Sequence, residues 1–179
     1  NIDEEIIKTG KVPYADPNFS WHILWPEKNH LSNKLNVLIA GCGSDQAAIL
    51  AKCNPNHFFT GVDLSKKSID HNNYLLKKHN ITNLKLICED FRKIQFNQKF
   101  DYIISTGVIH HLVDPSSGLK YFNENLKPNG VINLMVYGDK DSKSLNHFKR
   151  VFKELQLSQN TESIKIAKNV ISNLCMSVE

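Results

Sequence analysis

The sequence predicts an α/β fold, a three-layer α/β/α sandwich around a mostly parallel central sheet, and three observations carry that prediction. The first is the stretch Val37-Leu38-Ile39-Ala40-Gly41-Cys42-Gly43. Four apolar residues run straight into a Gly-x-Gly turn, as a strand buried on both faces does. The second is Asp63, which ends the next apolar run twenty residues after Gly43. An acid there can accept both hydroxyls of an adenine nucleoside's ribose. The third is the alternation itself: five short apolar runs separated mainly by helical patterns imply parallel strands with right-handed crossovers.

The elements follow in order. Residues 1–30 read as irregular, because Pro13, Pro17 and Pro26 break any long element. Trp21 and Trp25, both tryptophans of the chain, fall here. They read as a lid capping the sheet, with Tyr14, Trp21 or Trp25 walling a pocket as the functional alternative. After the first strand, Gln46-Ala47-Ala48-Ile49-Leu50-Ala51-Lys52 starts a helix whose free N–H groups aim at the turn. Asp45 is its candidate N-cap. The run 57–64 is the second strand, and Ser65 caps a helix from Lys66 through His79, closed by Asn80. Residues 84–88 form the third strand, and the segment from Glu89-Asp90-Phe91 to Gln98 is a loop or a single turn. Phe100 to Thr106 is the fourth strand, and Ser116 or Ser117 caps the next helix through Leu126. Lys127-Pro128-Asn129-Gly130 turns the chain into a fifth strand, 131–137. Residues 139–179 carry two amphipathic helical patterns, one on Leu145, Phe148, Val151, Phe152 and Leu155 and one on Ile164, Ile166, Ala167, Val170, Ile171 and Leu174.

Composition excludes several classes. At 179 residues the chain holds one domain with a proper core. No apolar run reaches the length of a membrane span and no signal pattern opens the chain, so it reads as cytoplasmic. Cys42, Cys53, Cys88 and Cys175 show no paired spacing, which indicates neither zinc nor a disulfide framework. The net charge is +4, but Arg92 and Arg150 are the only arginines and the lysines are scattered. Arginine is the preferred fork for phosphates and base edges, so its scarcity argues against a nucleic-acid groove. Asn1 is not an initiator and residues 173–179 end in a helical pattern without a cap, so the sequence reads as part of something longer.

Ligands of parallel sheets bind beyond the carboxyl ends of the strands. Gly41, Asp63, Asp90 and Gly107 all fall just past strand ends and are expected to converge on one crevice. A dinucleotide fingerprint would need a small residue three places after Gly43, where this chain has Gln46. The ordered set instead resembles the class I S-adenosylmethionine-dependent methyltransferases, a Rossmann-like family. Val-Leu-Ile-Ala-Gly-Cys-Gly-Ser resembles their first motif and Gly61-Val62-Asp63-Leu64-Ser65 their ribose-binding step. Glu89-Asp90-Phe91 resembles the segment where an acid meets the adenine amino group and its neighbour covers the ring. Residues 106–112 resemble the loop after strand four, and 126–130 the turn into strand five.

The resemblance covers about residues 35–137. It implies S-adenosyl-L-methionine as cofactor, S-adenosyl-L-homocysteine as product, and a methyltransferase core over 31–138 between a lid (1–30) and a helical region (139–179). The implied cofactor residues are Gly41, Cys42, Gly43, Gln46, Asp63, Leu64, Asp90, Phe91, Gly107 and Val108, with no metal. His110 and His111 sit on the right rim to act as a base, which is needed only where the acceptor carries a proton. Two departures stand out: family members usually have an acid at Ile39 and a glycine at Asp45. The family's last two strands are also unrecognisable, either missing or replaced by helices. No Pro-Cys nucleophile follows strand four, and neither an Asn/Asp-Pro-Pro-aromatic step nor a double-glutamate loop is present. A small-molecule acceptor is the expectation, with a protein acceptor behind it; a non-catalytic cofactor-binding or assembly module and an NAD-dependent oxidoreductase are the rival readings.

Overall fold

The computed structural model describes residues 15–27, 34–138, 143–158 and 160–175. The chain divides into two units, Asn1–Val136 and Tyr137–Glu179. The first is built on a five-stranded parallel sheet of order β3-β2-β1-β4-β5, with β1 Asn36–Ala40, β2 Phe58–Asp63, β3 Leu84–Cys88, β4 Phe100–Thr106 and β5 Leu126–Met135. Strand order steps outward from β1 to β3 and then returns to β4 on the other side of β1. The switch point therefore lies between β1 and β4, where such sheets receive ligands.

Both faces of the sheet are buried, as the apolar runs require. Val37 and Ile39 point into one core layer, with Ala47, Leu50, Ile69, Leu75, Tyr102 and Ile104. Leu38 and Ala40 point into the other, with Val62, Phe100, Ile103, Ile109 and Phe122. The first layer is covered by α1 Pro17–Leu24, α2 Gln46–Cys53 and α3 Lys66–His79, the second by α4 Pro115–Asn125. Each such large aliphatic or aromatic side chain withdrawn from water contributes about 1.5–3 kcal/mol. The helix α2 lies close on the sheet at Gly61 of β2, where a Cβ would sit a tight 3.1 Å from the Ala47 methyl and 3.3 Å from Cys42 Sγ.

Three local expectations need correction. The segment around Pro17 is helical over eight residues. Pro17 occupies the first turn, where its missing N–H costs nothing, and Asp16 caps the helix by accepting from Asn18 and Phe19 amides at 2.8 and 3.1 Å. The helix α4 is capped by Asp114, whose Oδ1 accepts the Ser116 amide at 2.9 Å, with Pro115 at its first position; neither serine is the cap. Strand β5 already begins at Leu126, paired with Phe100. The expected turn lies inside it as a bulge: between the pairs Phe100–Leu126 and Tyr102–Val131 the chain takes five steps on β5 against two on β4, with Asn129 at φ 63°.

Residues 15–25 cover the core. The Tyr102 hydroxyl donates to the Ala15 carbonyl at 3.1 Å, the Trp25 indole N–H donates to the Asn129 carbonyl at 3.1 Å, and Trp21 packs on the first core layer. Tyr14 lies outside the described residues.

A buried polar network joins this strap to the body. Asn54 donates to Asp16 and accepts from Asn18 Nδ2 at 2.7 Å. His57 Nδ1 accepts the Leu35 amide at 3.3 Å, which leaves its Nε2–H to donate to Asn18 Oδ1 at 3.3 Å.

The second unit holds α5 Lys143–Glu154 and α6 Thr161–Cys175. Phe148 and Phe152, one turn apart on α5, stack with ring centroids 6.0 Å apart. The side chains of Leu145 and Leu174 lie outside what is described. Among the described residues no helix is long and apolar enough to cross a membrane.

Candidate functional site

The chain leaves β1 through Gly41 and Gly43, at φ 78° and 61°, a region that side-chain-bearing residues avoid. The amides of Gly41 and Cys42 both donate to the Val62 carbonyl, at 2.8 and 3.0 Å. The Gly43 amide donates to Asp63 Oδ2 at 2.9 Å. All three loop amides are thus bound internally, and the Ala48 amide of the first turn of α2 goes to Asn72 Oδ1 at 3.1 Å. These four amides therefore meet acceptors within the protein, and the loop is held in shape by its own hydrogen bonds. A Cβ on Gly43 would meet nothing within 4 Å, so this backbone faces open space.

Asp63 ends β2 with its carboxylate fixed by two backbone donors, Gly43 at 2.9 Å and Ser65 at 2.8 Å. An ionised carboxylate has about four lone-pair sites, so about two remain, the number a ribose diol uses. Asp90 follows β3. Arg92 grips it with Nη2 to Oδ2 at 2.6 Å and Nε to Oδ1 at 3.0 Å, and the Arg92 amide adds a third bond at 3.0 Å. The guanidinium bonds beside it hold the Asp90 carboxyl below the usual carboxylate range. By the same count about one acceptor site is left, enough for one amino proton.

Gly41, Asp63, Leu64, Asp90, Phe91, Gly107, Val108 and His111 line one cavity of about 230 Å³, which Glu89, Arg92 and Leu112 complete with Val62. Whole small-molecule sites run about 300–1,000 Å³, so this cavity is the size of part of such a ligand. Its charged lining is three carboxylates against one guanidinium, a surrounding hostile to a pyrophosphate.

The other sequence-predicted residues stand as follows. Cys42 is buried in the first core layer, and burial followed by the Asp63 charge pushes its thiol up to about 12. Its side chain is inert packing. Gln46 is not on the cavity wall; its Nε2 donates to Thr106 Oγ1 at 3.4 Å, linking α2 to the end of β4. Phe91 lines the cavity but is 6% exposed, its ring stacked on Phe122 at 5.2 Å and edge-on to Tyr121 at 5.5 Å. It is chiefly the floor of the second core layer. His110 is half-buried and off the wall, while His111 is exposed on it, with their rings 4.1 Å apart. Neither Trp21 nor Trp25 is on the wall. Ile39 is fully buried in the core.

Asp45 heads α2 without a side-chain cap bond, so the capping role expected of it is not performed by its own carboxylate. Two contributors escaped the sequence reading. Arg92 is adjacent to a motif residue, but nothing in the spacing says that it folds back on Asp90. Asn72 is in mid-helix, where an asparagine normally faces solvent. Among the described residues no cluster of His, Cys, Asp and Glu could hold a metal ion.

Comparisons with known proteins agree with this geometry. The profile of a methyltransferase domain family matches residues 31–174. Among curated proteins, the chain is 23% identical over 148 residues to the malonyl-[acyl-carrier protein] O-methyltransferase of Bacillus anthracis, covering 80% of this chain and 54% of that protein. It is 30% identical over 155 residues to the ubiquinone biosynthesis O-methyltransferase of Actinobacillus pleuropneumoniae, covering 74% and 64%. The chain thus spans less than two thirds of the length of these relatives. Among solved structures, PKMT2 from Rickettsia typhi in complex with AdoHcy superposes with a TM-score of 0.72 at 20% identity, over 94% of this chain and 35% of that one. That match takes in the glycine loop, the strand-end acids and the whole five-stranded parallel sheet, and the chain belongs to the methyltransferase domain family.

Proposed function

We propose that the crevice binds S-adenosyl-L-methionine and that the protein of which this chain forms part transfers its methyl group to a small-molecule acceptor. The observation that carries the reading is the convergence of Gly41, Asp63, Asp90 and Gly107 on one acid-lined cavity at the β1/β4 switch point. The residues present fit the cofactor by their donor sets. Asp63 keeps about two acceptor sites for the ribose hydroxyls, Asp90 about one for the adenine amino group, and the carboxylate-rich wall suits a sulfonium cation.

The cofactor supplies an already activated methyl donor, so the protein's part is to position and to exclude water. Val62, Phe91, Val108 and Leu112 form the apolar side of the cavity, bordered by the exposed Leu64. Asp63, held by two amides, needs little reorganisation to receive a ligand. His111 is the histidine placed to take a proton from a hydroxyl or amine acceptor, with His110 packed against it. The small-molecule acceptor is supported by relatives such as the ubiquinone biosynthesis O-methyltransferase of Actinobacillus pleuropneumoniae and the (S)-coclaurine N-methyltransferase of Papaver somniferum, while the malonyl-[acyl-carrier protein] O-methyltransferase keeps a protein-borne acceptor as the second reading. The free thiols of Cys42, Cys53 and Cys88 support a cytoplasmic setting.

The test is parallel calorimetric titration with S-adenosylmethionine, S-adenosylhomocysteine and NAD, repeated on Asp90→Ala. The first two bind, NAD does not, and Asp90→Ala weakens both. Binding of NAD alone, or unchanged affinity in Asp90→Ala, sinks the assignment.

A further inference from the structure

The glycine loop is held from a direction the motif does not reveal. Asn72, in the middle of α3, is completely buried, and its amide is fully engaged. Nδ2 donates to the Gly43 carbonyl at 2.8 Å and to the Ser68 carbonyl at 3.0 Å, while Oδ1 accepts the Ala48 amide at 3.1 Å. With two carbonyls on one side and an N–H on the other, only this orientation of the amide satisfies every partner.

Two consequences follow. Ala48 is the third residue of α2, so its N–H is one of the donors a helix cannot satisfy from within. Asp45, in the N-cap position, makes no side-chain cap bond, and Asn72 supplies that acceptor from another helix. Gly43, meanwhile, is gripped on both sides of its Cα, its N–H by Asp63 and its carbonyl by Asn72. A left-handed glycine flanked by Cys42 and Ser44 has wide conformational freedom unless such bonds remove it.

We propose that Asn72 is a positioning residue for the cofactor site: it clamps the Gly41–Gly43 loop and the start of α2 into one ligand-receiving shape before any ligand arrives. Asn72 is not on the cavity wall and acts through Gly43 and Ala48. In its ligand readout the inference rests on the cofactor reading above; in its loop readout it does not.

The discriminating variant is Asn72→Asp. The introduced carboxylate still accepts from Ala48 but has no proton for the carbonyl of Gly43 or of Ser68. At pH 8 the variant binds S-adenosylhomocysteine about tenfold or more weakly, because the Gly43 carbonyl of the loop has lost its buried donor. As the pH falls towards 5.5 the carboxyl, buried among carbonyls, takes up one proton; donated to the Gly43 oxygen it restores the bond to the loop and leaves the Ser68 carbonyl without its donor, so affinity returns part of the way towards that of the parent. The parent, measured over the same range, sets the baseline.

Amide hydrogen exchange on the unliganded proteins gives the second reading. Gly43 and Ala48 exchange faster in the variant at pH 8, and Phe59, bonded to the Asn83 carbonyl across the sheet, does not. If Asn72→Asp is too unstable to purify, Asn72→Ala serves, with weaker binding at every pH and the same local exchange.

Parent-like affinity at pH 8, or a loss in Asn72→Asp that acid does not lessen, overturns the proposal. If the parent does not bind S-adenosylhomocysteine, the cofactor reading falls and exchange decides for Asn72. Acceleration confined to Gly43 and Ala48 upholds the clamp, and unchanged or uniform exchange overturns it.

Discussion

Gly41 and Val108 occupy each other's space: a Cβ placed on Gly41 would lie 2.1 Å from Val108 Cγ2. The loop after β1 and the loop after β4 therefore meet over a single missing methyl group, and their contact forms one wall of the crevice. Gly41→Ala combines that clash with a φ of 78°, for which an L side chain costs about 1–2 kcal/mol before any packing term. We expect a lower melting temperature and a loss of S-adenosylhomocysteine affinity of about tenfold or more. Adding Val108→Ala recovers the packing part and leaves the backbone part, so a double-mutant cycle on melting shows coupling between the two sites. Independent effects would mean that the loops do not touch.

Asp63→Asn removes one acceptor face where two backbone donors, Gly43 and Ser65, already point. An amide can accept on one side only and sets its NH₂ against the other N–H. Hydrogen bonds to a charged acceptor are worth about 1.5–3 kcal/mol, so affinity for S-adenosylhomocysteine should fall about 10- to 100-fold in calorimetry. Affinity within threefold of the parent, on the order of 0.6 kcal/mol, would contradict the role given to this carboxylate.

His57 makes stability depend on pH. Burial lowers its pKa from the ordinary 6.5, opposed by the charges of Asp16 and Asp101, and Nδ1 is committed to accepting the Leu35 amide. The folded chain thus binds a proton less readily than the unfolded one, and stability rises with pH wherever the unfolded state carries the extra proton. This contribution is complete above 6.5 and is lost as the pH falls from there towards the lowered folded value. Melting followed between pH 7.5 and 5 should show that decline, and His57→Asn, which keeps an acceptor but cannot titrate, should flatten it. An equal slope in both proteins would assign the pH dependence elsewhere.

The two neighbouring histidines differ in address. His111 is exposed on the cavity wall, and His110 is off it. On a proton-bearing acceptor found by screening phenols and amines, His111→Ala should slow turnover about 10²- to 10⁴-fold, the usual weight of a positioned base. S-adenosylhomocysteine affinity should change much less. Turnover lost equally on His110→Ala, or retained in His111→Ala, would remove the base from the scheme.

Much of this molecule was legible in the order of its residues. The buried strands announced themselves as unbroken apolar runs, because a parallel sheet covered on both faces has no polar side to alternate with. Gly41, Asp63, Asp90 and Gly107 could be assigned to one rim because strand ends of a parallel sheet all open the same way. What failed locally failed for local reasons. In the sequence Pro17 reads as a break and the serines after Pro115 as caps, yet proline at a helix's first position starts it, and the preceding aspartate takes the cap.

Sequence by itself determined the fold class, the strand that carries each acid, and the glycines that must turn. Those properties depend on burial pattern and backbone freedom, which are short-range in the chain. Tertiary structure alone decided that Arg92 grips Asp90, that Cys42 and Phe91 serve the core, that His111 rather than His110 faces the cavity, and that Asn72 closes on Gly43. Asn72 and Gly43 are 29 residues apart. No periodicity encodes a hydrogen bond over that span, because its geometry exists only once α3 has packed against the loop that follows β1.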